Sequence, residues 1–431
     1  MRPPMARIST NAKVLQSIDG SLGVLSCFVL TILRRVTDAF ARRNSSRPET
    51  ILFLKLAEQG STVLAYEAIR SATERVGCQN VYFMVFEENR FILDLLDLIP
   101  PENVLAINTR SPFSMVASGL HRLWQIRRLR LDACIDMEFF ARFTASLAWL
   151  TGAGIRVGFH SYFGEGPYRG DLLTHRVLYN PHMHTCSTFA SLVLALDADS
   201  WQFPTFAVEP PRSTAPPLFR ANPDEKLAVQ RILRPLLPPE TKKLILLNAN
   251  ASDLLPFRKW AENNYVELAR RLLGTFPEIA IGFTGSPDEA RKIEHLVQDV
   301  DSRRCFCLAG KTTLRQLIVV YTLAEVLVTN DSGPAHFATL TNIDVVTLFG
   351  PETPHLFGAP TPRNHTIWAG IACSPCVNAL NNRQSACTNN MCMKMISVDH
   401  VFQTVCQVYS NKNAPSNGGQ QAPKPGILMS H

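Results

Sequence analysis

The stretch Glu325-Val-Leu-Val-Thr-Asn-Asp-Ser-Gly-Pro-Ala-His-Phe-Ala-Thr-Leu340 is followed closely by Asp344-Val-Val-Thr-Leu-Phe-Gly-Pro351. Together they predict a buried strand, a tight turn, a short helix and a second strand. Pro334 suits the first position of a helix, because a backbone N–H at that position would have no hydrogen-bond partner within the helix. This strand-to-helix turn predicts an α/β fold whose strand end opens directly into a helix.

The turn has the residues of an anion site. Asp331, Ser332 and Gly333 lie where the chain leaves the strand, so backbone N–H groups at the helix start are available to a phosphate. His336 can add a hydrogen bond, and Asp331 can accept one from a sugar hydroxyl. An ordinary strand-to-helix corner is the alternative interpretation.

The same alternation of apolar strands and amphipathic helices continues outward over most of the chain. It predicts doubly wound parallel sheets. Helices are expected at 62–76 and 91–98. Strands are expected at 51–54, 81–85, 104–107, 131–135, 155–158, 244–247, 279–283, 305–308, 326–329 and 345–349.

With 431 residues the chain is long enough for two domains. Residues 50–203 and 222–410 are the two predicted Rossmann-like domains, joined by a proline-rich linker at 204–221 and facing each other across a cleft. Residues 1–49 are a separate amphipathic segment, and 411–431 are a disordered tail rich in Pro, Gly, Asn and Gln. Ligands are expected at the carboxyl ends of the strands.

The composition is that of a globular protein, and the net charge of +7 favours acidic partners or an anionic membrane surface. The chain has no zinc-finger, RNA-sheet or basic-zipper pattern, so nucleic acid is not an expected partner. Its eleven cysteines do not form a disulfide scaffold for a chain of this size, and a reducing compartment, the cytoplasm, is expected.

The N-terminal segment carries an apolar run at 22–33, which is too short to span a bilayer. It is expected to lie at the membrane interface, with apolar side chains in the lipid and cations at the headgroups. A helix packed on the protein is the alternative. The cations are Arg34, Arg35, Arg42, Arg43 and Arg47.

Two further polar loops follow strands of the second domain. The first, at 248–252, contains Asn248 and Ser252 and is followed by the cationic Arg258-Lys-Trp260; the second, at 285–289, ends in Glu289. Cations and hydroxyls suit a diphosphate, and a carboxylate suits ribose or sugar hydroxyls. Both loops are expected at the same sheet edge as the first motif.

These segments together resemble the heptosyltransferase family, the ninth glycosyltransferase family, over most of residues 51–405. The resemblance is carried by Asn-Asp-Ser-Gly-Pro-Ala-His at 330–336, Leu-Phe-Gly-Pro at 348–351, Arg-Lys-Trp at 258–260, Gly-Lys-Thr-Thr-Leu at 310–314 and the C-terminal cysteines. It implies a GT-B fold and metal-independent inverting transfer of a sugar from a nucleotide-diphosphate donor to a lipopolysaccharide-core or lipid-linked acceptor. It also implies an enzyme of the cytoplasm, at the inner membrane surface.

The resemblance implies roles for the residues of the second domain. Arg258 would hold donor phosphate, and Glu289 would contact the nucleoside. The diphosphate and the donor sugar would be cradled by Asp331, Ser332, Gly333 and His336.

The chain departs from the family at one position. The family's N-terminal motif ends in Gly-Asp, whose aspartate is the proposed general base, whereas this chain has Gly60-Ser61. An inverting transfer needs a carboxylate that takes the acceptor proton, and a serine cannot do this at neutral pH. Glu58 is the first substitute, with Asp136 and Glu138 behind it. Each is otherwise a solvated or structural carboxylate.

Two more groups of residues carry predictions. Lys55 matches the family's basic residue in this loop and can neutralise phosphate charge. The segment from His160 to His184 is expected to be an irregular loop on the acceptor side. Its predicted acceptor-binding cations are Arg169 and Arg176, with Arg156 just before the segment.

Four cysteines lie in a loop at 373–392. Cys373, Cys376, Cys387 and Cys392 have a spacing that can bind structural zinc tetrahedrally, although the second pair is wider than usual. Free thiols or disulfides holding a long loop are the alternative. No cofactor is expected for catalysis. Two functions compete with transfer: a degenerate GT-B protein that binds nucleotide or glycan without turnover, and a nucleotide-sugar epimerase.

Overall fold

A computed structural model describes residues 8–38, 47–161, 167–200, 202–210, 216–251, 255–381 and 383–413. The chain forms two compact units. The N-terminal unit comprises Ser9–Pro216 and a short returning segment, Val377–Gln384. The C-terminal unit comprises Pro217–Cys376 and the described residues from Ser385 onward.

The N-terminal unit alternates strands and helices after one long initial helix. Its strands are β1 (Ile51–Leu54), β2 (Val81–Phe86), β3 (Val104–Ile107), β4 (Ala133–Asp136), β5 (Ile155–His160) and β6 (His175–Leu178). Its helices are α1 (Ile8–Asp38), α2 (Gln59–Leu64), α3 (Tyr66–Val76), α4 (Arg90–Leu96), α5 (Pro112–Leu129), α6 (Arg142–Leu150) and α7 (Thr185–Leu194).

The C-terminal unit repeats the alternation. Its strands are β7 (Lys243–Asn248), β8 (Ile279–Phe283), β9 (Cys305–Cys307), β10 (Val326–Asn330), β11 (Asp344–Phe349) and β12 (Asn364–Trp368). Its helices are α8 (Pro223–Leu233), α9 (Glu262–Thr275), α10 (Ala290–Val300), α11 (Leu314–Leu323), α12 (Gly333–Ala338), α13 (Pro354–Phe357), α14 (Met391–Lys394) and α15 (Val398–Asn413).

Each unit is built on one six-stranded sheet. The strand orders are β3-β2-β1-β4-β5-β6 and β12-β11-β10-β7-β8-β9, and every neighbouring pair is parallel. Counted from the first strand of its own unit, each sheet has the doubly wound order 3-2-1-4-5-6. The carboxyl ends of all six strands therefore meet at one edge of each sheet, with the switch point beside β1 and β4 in one unit and beside β7 and β10 in the other.

The structure confirms the predicted fold class, because the strands are buried apolar runs on both faces, as parallel sheets require. Three differences have physical reasons. The predicted helix at 62–76 is two helices, α2 and α3, which meet at Ala65. The edge strands β6 and β12 were missed, since both are short and polar. As a result the segment from His160 to His184 is not wholly irregular.

The initial helix α1 is longer than the apolar run seen in the sequence. It has 31 residues, and its stretch Asp19–Thr37 is long and apolar enough to cross a membrane by length and composition alone. A core helix or a signal sequence passes the same test. At the other end of the chain, α15 runs to Asn413, three residues into the predicted tail, and residues 414–431 lie outside the described residues.

Candidate functional site

A buried ion triad marks the carboxyl edge of the C-terminal sheet. Arg258 pairs with Glu352, which follows β11, and its Nε lies 3.6 Å from Oδ2 of Asp331, which follows β10. Its Nη1 also donates to the Asp331 carbonyl oxygen at 3.3 Å. The side chains of Asp331 and Glu352 are only 3% and 1% exposed, so Arg258 neutralises two carboxylates that have left water.

Sequence reasoning missed Glu352. The signal was present, because Glu352 follows Leu-Phe-Gly-Pro directly at the end of β11, beside the strand that ends in Asp331. Parallel neighbouring strands place the residues after their carboxyl ends side by side. The order of the strands therefore predicts that the Glu352 carboxylate lies near Asp331 and its partner Arg258.

Asparagine side chains join the loops along this edge. Trp260 N donates to Asn330 Oδ1 at 3.0 Å, and Asn330 Nδ2 donates to the Asn250 carbonyl oxygen at 3.2 Å. The predicted donor residue Asn248 is buried and donates from Nδ2 to Thr329 Oγ1 at 3.0 Å. Asn248 therefore ties β7 to β10, and Trp260 is a core residue, 1% exposed.

Glu289 lies at the same edge, two strands from Asp331. Its Oε2 accepts a hydrogen bond of 2.7 Å from Ser286 N, so one carboxylate oxygen caps the turn before α10. A Cβ on Gly285 would lie 3.1 Å from that oxygen and 3.2 Å from Asn250 Nδ2. A larger residue than glycine would therefore push these side chains apart by a few tenths of an ångström, and the β8 loop lies directly against Asn250.

Several buried polar atoms along this edge have unused hydrogen-bonding capacity. Within the described residues, Asn250 Nδ2, Thr284 Oγ1, Arg258 Nε and Asp331 Oδ2 make no hydrogen bond. A buried polar atom without a partner costs about 1–3 kcal/mol. Arg258 Nε and Asp331 Oδ2 face each other as an ion pair at 3.6 Å, so Asn250 Nδ2 and Thr284 Oγ1 are the two atoms of this edge for which a bound polar group can supply a partner.

The turn into α12 differs in detail from the sequence prediction. The helix begins at Gly333, so Pro334 is its second residue, and the Ser332 hydroxyl donates to the Asn330 carbonyl oxygen instead of capping the helix. His336 is buried and lines a small depression with Asp331, Phe349 and other residues. The structure thus brings Arg258, Asp331, Ser332, Gly333 and His336 together. Ser252 lies outside the described residues.

A second polar cluster lies at the carboxyl end of β1 in the N-terminal unit. Lys55 is fully buried, with Nζ 3.2 Å from Glu138 Oε2 and 3.6 Å from Glu58 Oε2. Ser61 Oγ donates to Glu58 Oε2 at 3.2 Å, and Arg383, from the returning segment of the same unit, pairs with Glu58 Oε1. Sequence reasoning missed Arg383, because it is 325 residues from Glu58.

Glu58 itself is in an unusual conformation. Its φ of 66° and ψ of 78° place it in the left-handed region immediately before α2. This region is uncommon for a residue with a side chain, and six other non-glycine residues of the described structure also have a positive φ. The Glu58 side chain is one third exposed, whereas that of Glu138 is 12% exposed and binds the Ala57 amide at 2.9 Å. Glu58 is thus the more accessible carboxylate.

Asp136 is held inside the unit. It is fully buried at the end of β4, pairs with Arg169 and accepts a hydrogen bond of 3.0 Å from Thr144 Oγ1. Burial raises the pKa of Asp136 to about 6, and the Arg169 charge opposes that rise. Because Arg169 also donates to the carbonyl oxygens of Ala141 and Phe159, this pair fastens the ends of β4 and β5.

The predicted acceptor cations differ in accessibility. Arg156 is 7% exposed and donates to the carbonyl oxygens of Leu172 and Ala153 at 2.7 Å each, so its visible contacts are internal. Arg176 is half-buried on β6, with its guanidinium 4.9 Å from the centre of the Phe203 ring. Acceptor binding by Arg156, Arg169 and Arg176 stays a prediction, and the internal contacts favour Arg176 among the three.

The four loop cysteines belong to the C-terminal unit and are not joined by disulfides in the described structure. Burial raises the pKa of Cys392, and Cys376, Cys387 and Cys373 are close enough to raise it further. Asn390 N donates to Cys387 Sγ at 3.3 Å. No group of three or more His, Cys, Asp or Glu side chains within the described residues is placed to hold a metal ion in this conformation.

Two doubly wound Rossmann-like units are the architecture of the GT-B class of proteins. The model of glycosyltransferase family 9 (heptosyltransferase) matches residues 120–386, more than half of the chain. The protein therefore belongs to glycosyltransferase family 9, the heptosyltransferases, and the predicted family is confirmed.

Known relatives agree with this assignment. The chain is 32% identical to lipopolysaccharide heptosyltransferase 2 of Escherichia coli K12 over 101 residues, 23% of this chain and 29% of that protein. It is 24% identical to the lipopolysaccharide core heptosyltransferase OpsX of Haemophilus influenzae over 314 residues, 71% of this chain and 80% of OpsX. The solved structure of E. coli ADP-heptose lps heptosyltransferase II has the same fold, with a TM-score of 0.64 and 18% identity, covering 85% of this chain and 100% of that one.

Proposed function

We propose that this protein is an inverting glycosyltransferase that transfers a sugar from a nucleotide-diphosphate donor to a lipopolysaccharide-core or lipid-linked acceptor. Family membership supports the transferase class. The observation that carries the proposal is the polar edge of the C-terminal sheet from Glu289 to Glu352, with its unpartnered buried atoms. These atoms match the donors and acceptors that a nucleotide sugar offers.

The chemistry of this edge fits a sugar diphosphate. Asp331 Oδ2 can accept from a sugar hydroxyl, and Arg258 is the cation at this edge that can attract phosphate oxygens. The amide N–H groups of Ser332 and Gly333 and the His336 ring add hydrogen bonds as charge builds on the departing diphosphate. These protein groups stabilise the leaving group without a metal, so no cofactor is needed for the transfer.

Glu58 is the proposed general base. It takes the proton of the acceptor hydroxyl as that hydroxyl attacks the anomeric carbon, and the nucleotide diphosphate departs from the opposite face. Lys55 orients the Glu58 carboxylate from its buried position. Ser61, at the position of the family aspartate, donates to Glu58 and holds it in place.

A thermal-shift screen tests the donor site. ADP-, UDP- and GDP-sugars are expected to differ, with the true donor raising the melting temperature because it binds only the folded state. Saturation at 100 times Kd adds about 2.7 kcal/mol to the free energy of unfolding. Asp331→Asn should remove most of the shift, whereas Asp344→Asn, which changes a β11 carboxylate paired with His365 and Lys412, should keep it. Equal shifts in both variants would refute the donor assignment.

Ser61 favours one second candidate, a GT-B protein that binds nucleotide or glycan without turnover. The serine removes the carboxylate that the family motif supplies. Incubation with a labelled nucleotide sugar and a core-type acceptor separates the two functions. Transfer or slow hydrolysis of the donor supports the enzyme, whereas stabilisation by donor without either product supports the binding protein.

The proposed place of action is the cytoplasmic surface of the inner membrane, where a lipid-linked acceptor is available. The exposed apolar residues of α1 support this proposal. The net charge of +7 favours the anionic leaflet and does not require a nucleic-acid partner.

We further propose a structural metal, such as zinc, at Cys373, Cys376, Cys387 and Cys392. Cys373, Cys376 and Cys387 lie close enough to Cys392 to raise its pKa, and four cysteine sulfurs are a ligand set of structural zinc, so this observation supports the proposal. Metal analysis of protein purified without chelator should find one zinc or iron per chain. Cys376→Ser should lose the metal, and Cys406→Ser, outside the loop, should retain it. A metal-free parent protein would contradict the proposal.

A further inference from the structure

The helix α1 is attached to the N-terminal unit along one narrow seam. The seam residues are Asp19, Gly23, Cys27, Thr31 and Arg34, spaced by three or four positions, as one helix face requires. From Asp19 to Arg34 is 15 residues, a length of about 22 Å at 1.5 Å per residue. The helix is therefore held over most of its apolar stretch and not at one end only.

The contacts along the seam are polar and specific. Asp19 accepts hydrogen bonds from the Arg142 and Phe143 amides, at 3.1 and 2.7 Å, and so caps the start of α6 from another helix. At the other end, Thr31 accepts from the Asp171 amide at 2.9 Å, and Arg34 pairs with the Asp171 carboxylate.

Small residues allow the helix to approach closely. A Cβ on Gly23 would lie 2.8 Å from the Arg142 Cβ. Gly170, with φ of 66°, faces the helix, and a Cβ there would lie 2.7 Å from the Cys27 carbonyl oxygen. Ser26 and Ser146 are joined by a hydrogen bond of 3.1 Å. The seam is thus a fitted interface within the unit.

The other sides of α1 are largely exposed in the part of the chain that the structure describes. Eight large hydrophobic side chains are between 37% and 62% exposed: Leu22, Val24, Leu25, Phe28, Val29, Ile32, Leu33 and Val36. A soluble monomer rarely exposes so many apolar side chains on one element. We define these eight residues as the apolar face of α1.

A second exposed stripe lies on α5. Phe113, Val116, Leu120 and Trp124 follow one another at helical spacing and are 83%, 57%, 62% and 52% exposed. The helices α5 and α6 pack on the same face of the sheet, Arg127 Nε of α5 donates to the last carbonyl of α6 at 2.8 Å, and α1 lies against α6. The two apolar surfaces therefore belong to one side of the N-terminal unit.

The charges beside these surfaces select an anionic partner. The sequence of α5 contains no Asp or Glu, and Arg127 and Arg128 are exposed at its end, with Arg128 3.9 Å from the Trp124 ring centre. In α1 from Asp19 to Thr37, Asp19 is the one acid and is bonded to α6, while Arg35 is 70% exposed. Apolar side chains beside cations are what the boundary of an anionic bilayer accepts.

We propose that α1 lies in the plane of an anionic bilayer, with its seam on the N-terminal unit and its apolar face in the lipid, and that the α5 stripe enters the same bilayer. If α1 spanned the bilayer, Asp19 and Arg34 would lose their partners in the N-terminal unit. Both charges would then lie in or near the hydrocarbon, which costs free energy. This inference deepens the proposed membrane association. It places the lipid-linked acceptor in the layer that the N-terminal unit touches.

Vesicle flotation of the full-length protein tests the surface. Binding to vesicles with 30% phosphatidylglycerol should exceed binding to pure phosphatidylcholine. The double variant Leu25→Asp/Phe28→Asp should bind at least about 10-fold more weakly, because two apolar side chains leave the lipid. Leu120→Asp in α5 should weaken binding several-fold, and Leu227→Asp, an exposed leucine of α8, should not. Equal binding by the parent protein and the three variants would overturn the proposal.

Depth measurements separate lying from spanning. Tryptophan placed at Leu22, Phe28 or Val36 should be quenched equally by shallow brominated lipids if α1 lies flat. Deep quenching at position 28 alone would show a spanning helix and refute the proposal. So would a stable dimer in solution that Leu25→Asp/Phe28→Asp dissociates, since a second copy would then cover the face. The same variants should still be stabilised by the nucleotide-sugar donor. This control separates a failure of the membrane proposal from a failure of the transferase proposal.

Discussion

Glu58→Gln is expected to reduce sugar transfer about 10²- to 10⁴-fold, the usual contribution of a positioned general base. The amide keeps the shape of the side chain and its contact with Ser61 but cannot take a proton from the acceptor hydroxyl. Donor binding should be unchanged, because every proposed donor contact lies in the C-terminal unit. Initial transfer rates and donor-dependent melting temperatures, measured on the same preparation, give the two readouts.

Two variants make this experiment decisive. Glu87→Gln changes an exposed carboxylate that pairs with Arg110 near the end of the neighbouring strand β2, and it should transfer at the parent rate. Glu58→Gln/Ser61→Asp returns a carboxylate to the family position and should recover part of the lost rate. If Glu58→Gln alone retains full turnover, the base is another group, and Glu138 becomes the next residue to replace.

The sequence was sufficient for the fold because parallel strands buried on both faces are continuous apolar runs, which are visible without a structure. Strands β1, β3 and β8 have the predicted bounds. The missed strands β6 and β12, which contain His175-Arg176 and Asn364-His365-Thr366, lie at sheet edges, where one side is open and polar residues are tolerated. Their strand character comes from pairing with a neighbour and not from their own pattern.

The candidate site was predictable where its residues follow strands. Asp331, Arg258 and Glu289 lie at the predicted sheet edge because each belongs to a recognisable strand end or loop, and their roles in binding stay predictions. Arg383 could not be found, because its position depends on a segment that returns to the N-terminal unit after more than 150 residues of the C-terminal unit. The hydrogen bonds from Arg156 to backbone carbonyl oxygens could not be predicted either, because such bonds leave no pattern in the sequence.

Arg258→Met is expected to lower the free energy of unfolding by about 3–5 kcal/mol, as does the removal of one partner from a buried ion pair. It leaves Asp331 and Glu352 buried beside each other without a counter-charge. Adding Glu352→Gln should restore part of that loss, because one uncompensated charge disappears.

Arg271→Met removes a cation whose partners Glu267 and Asp399 are exposed, and it should cost no more than about 1 kcal/mol. Equilibrium urea unfolding of the four proteins measures these differences. A loss in Arg258→Met no larger than in Arg271→Met would mean that water reaches the triad, and the edge would then lack the dry, pre-formed character that donor binding requires.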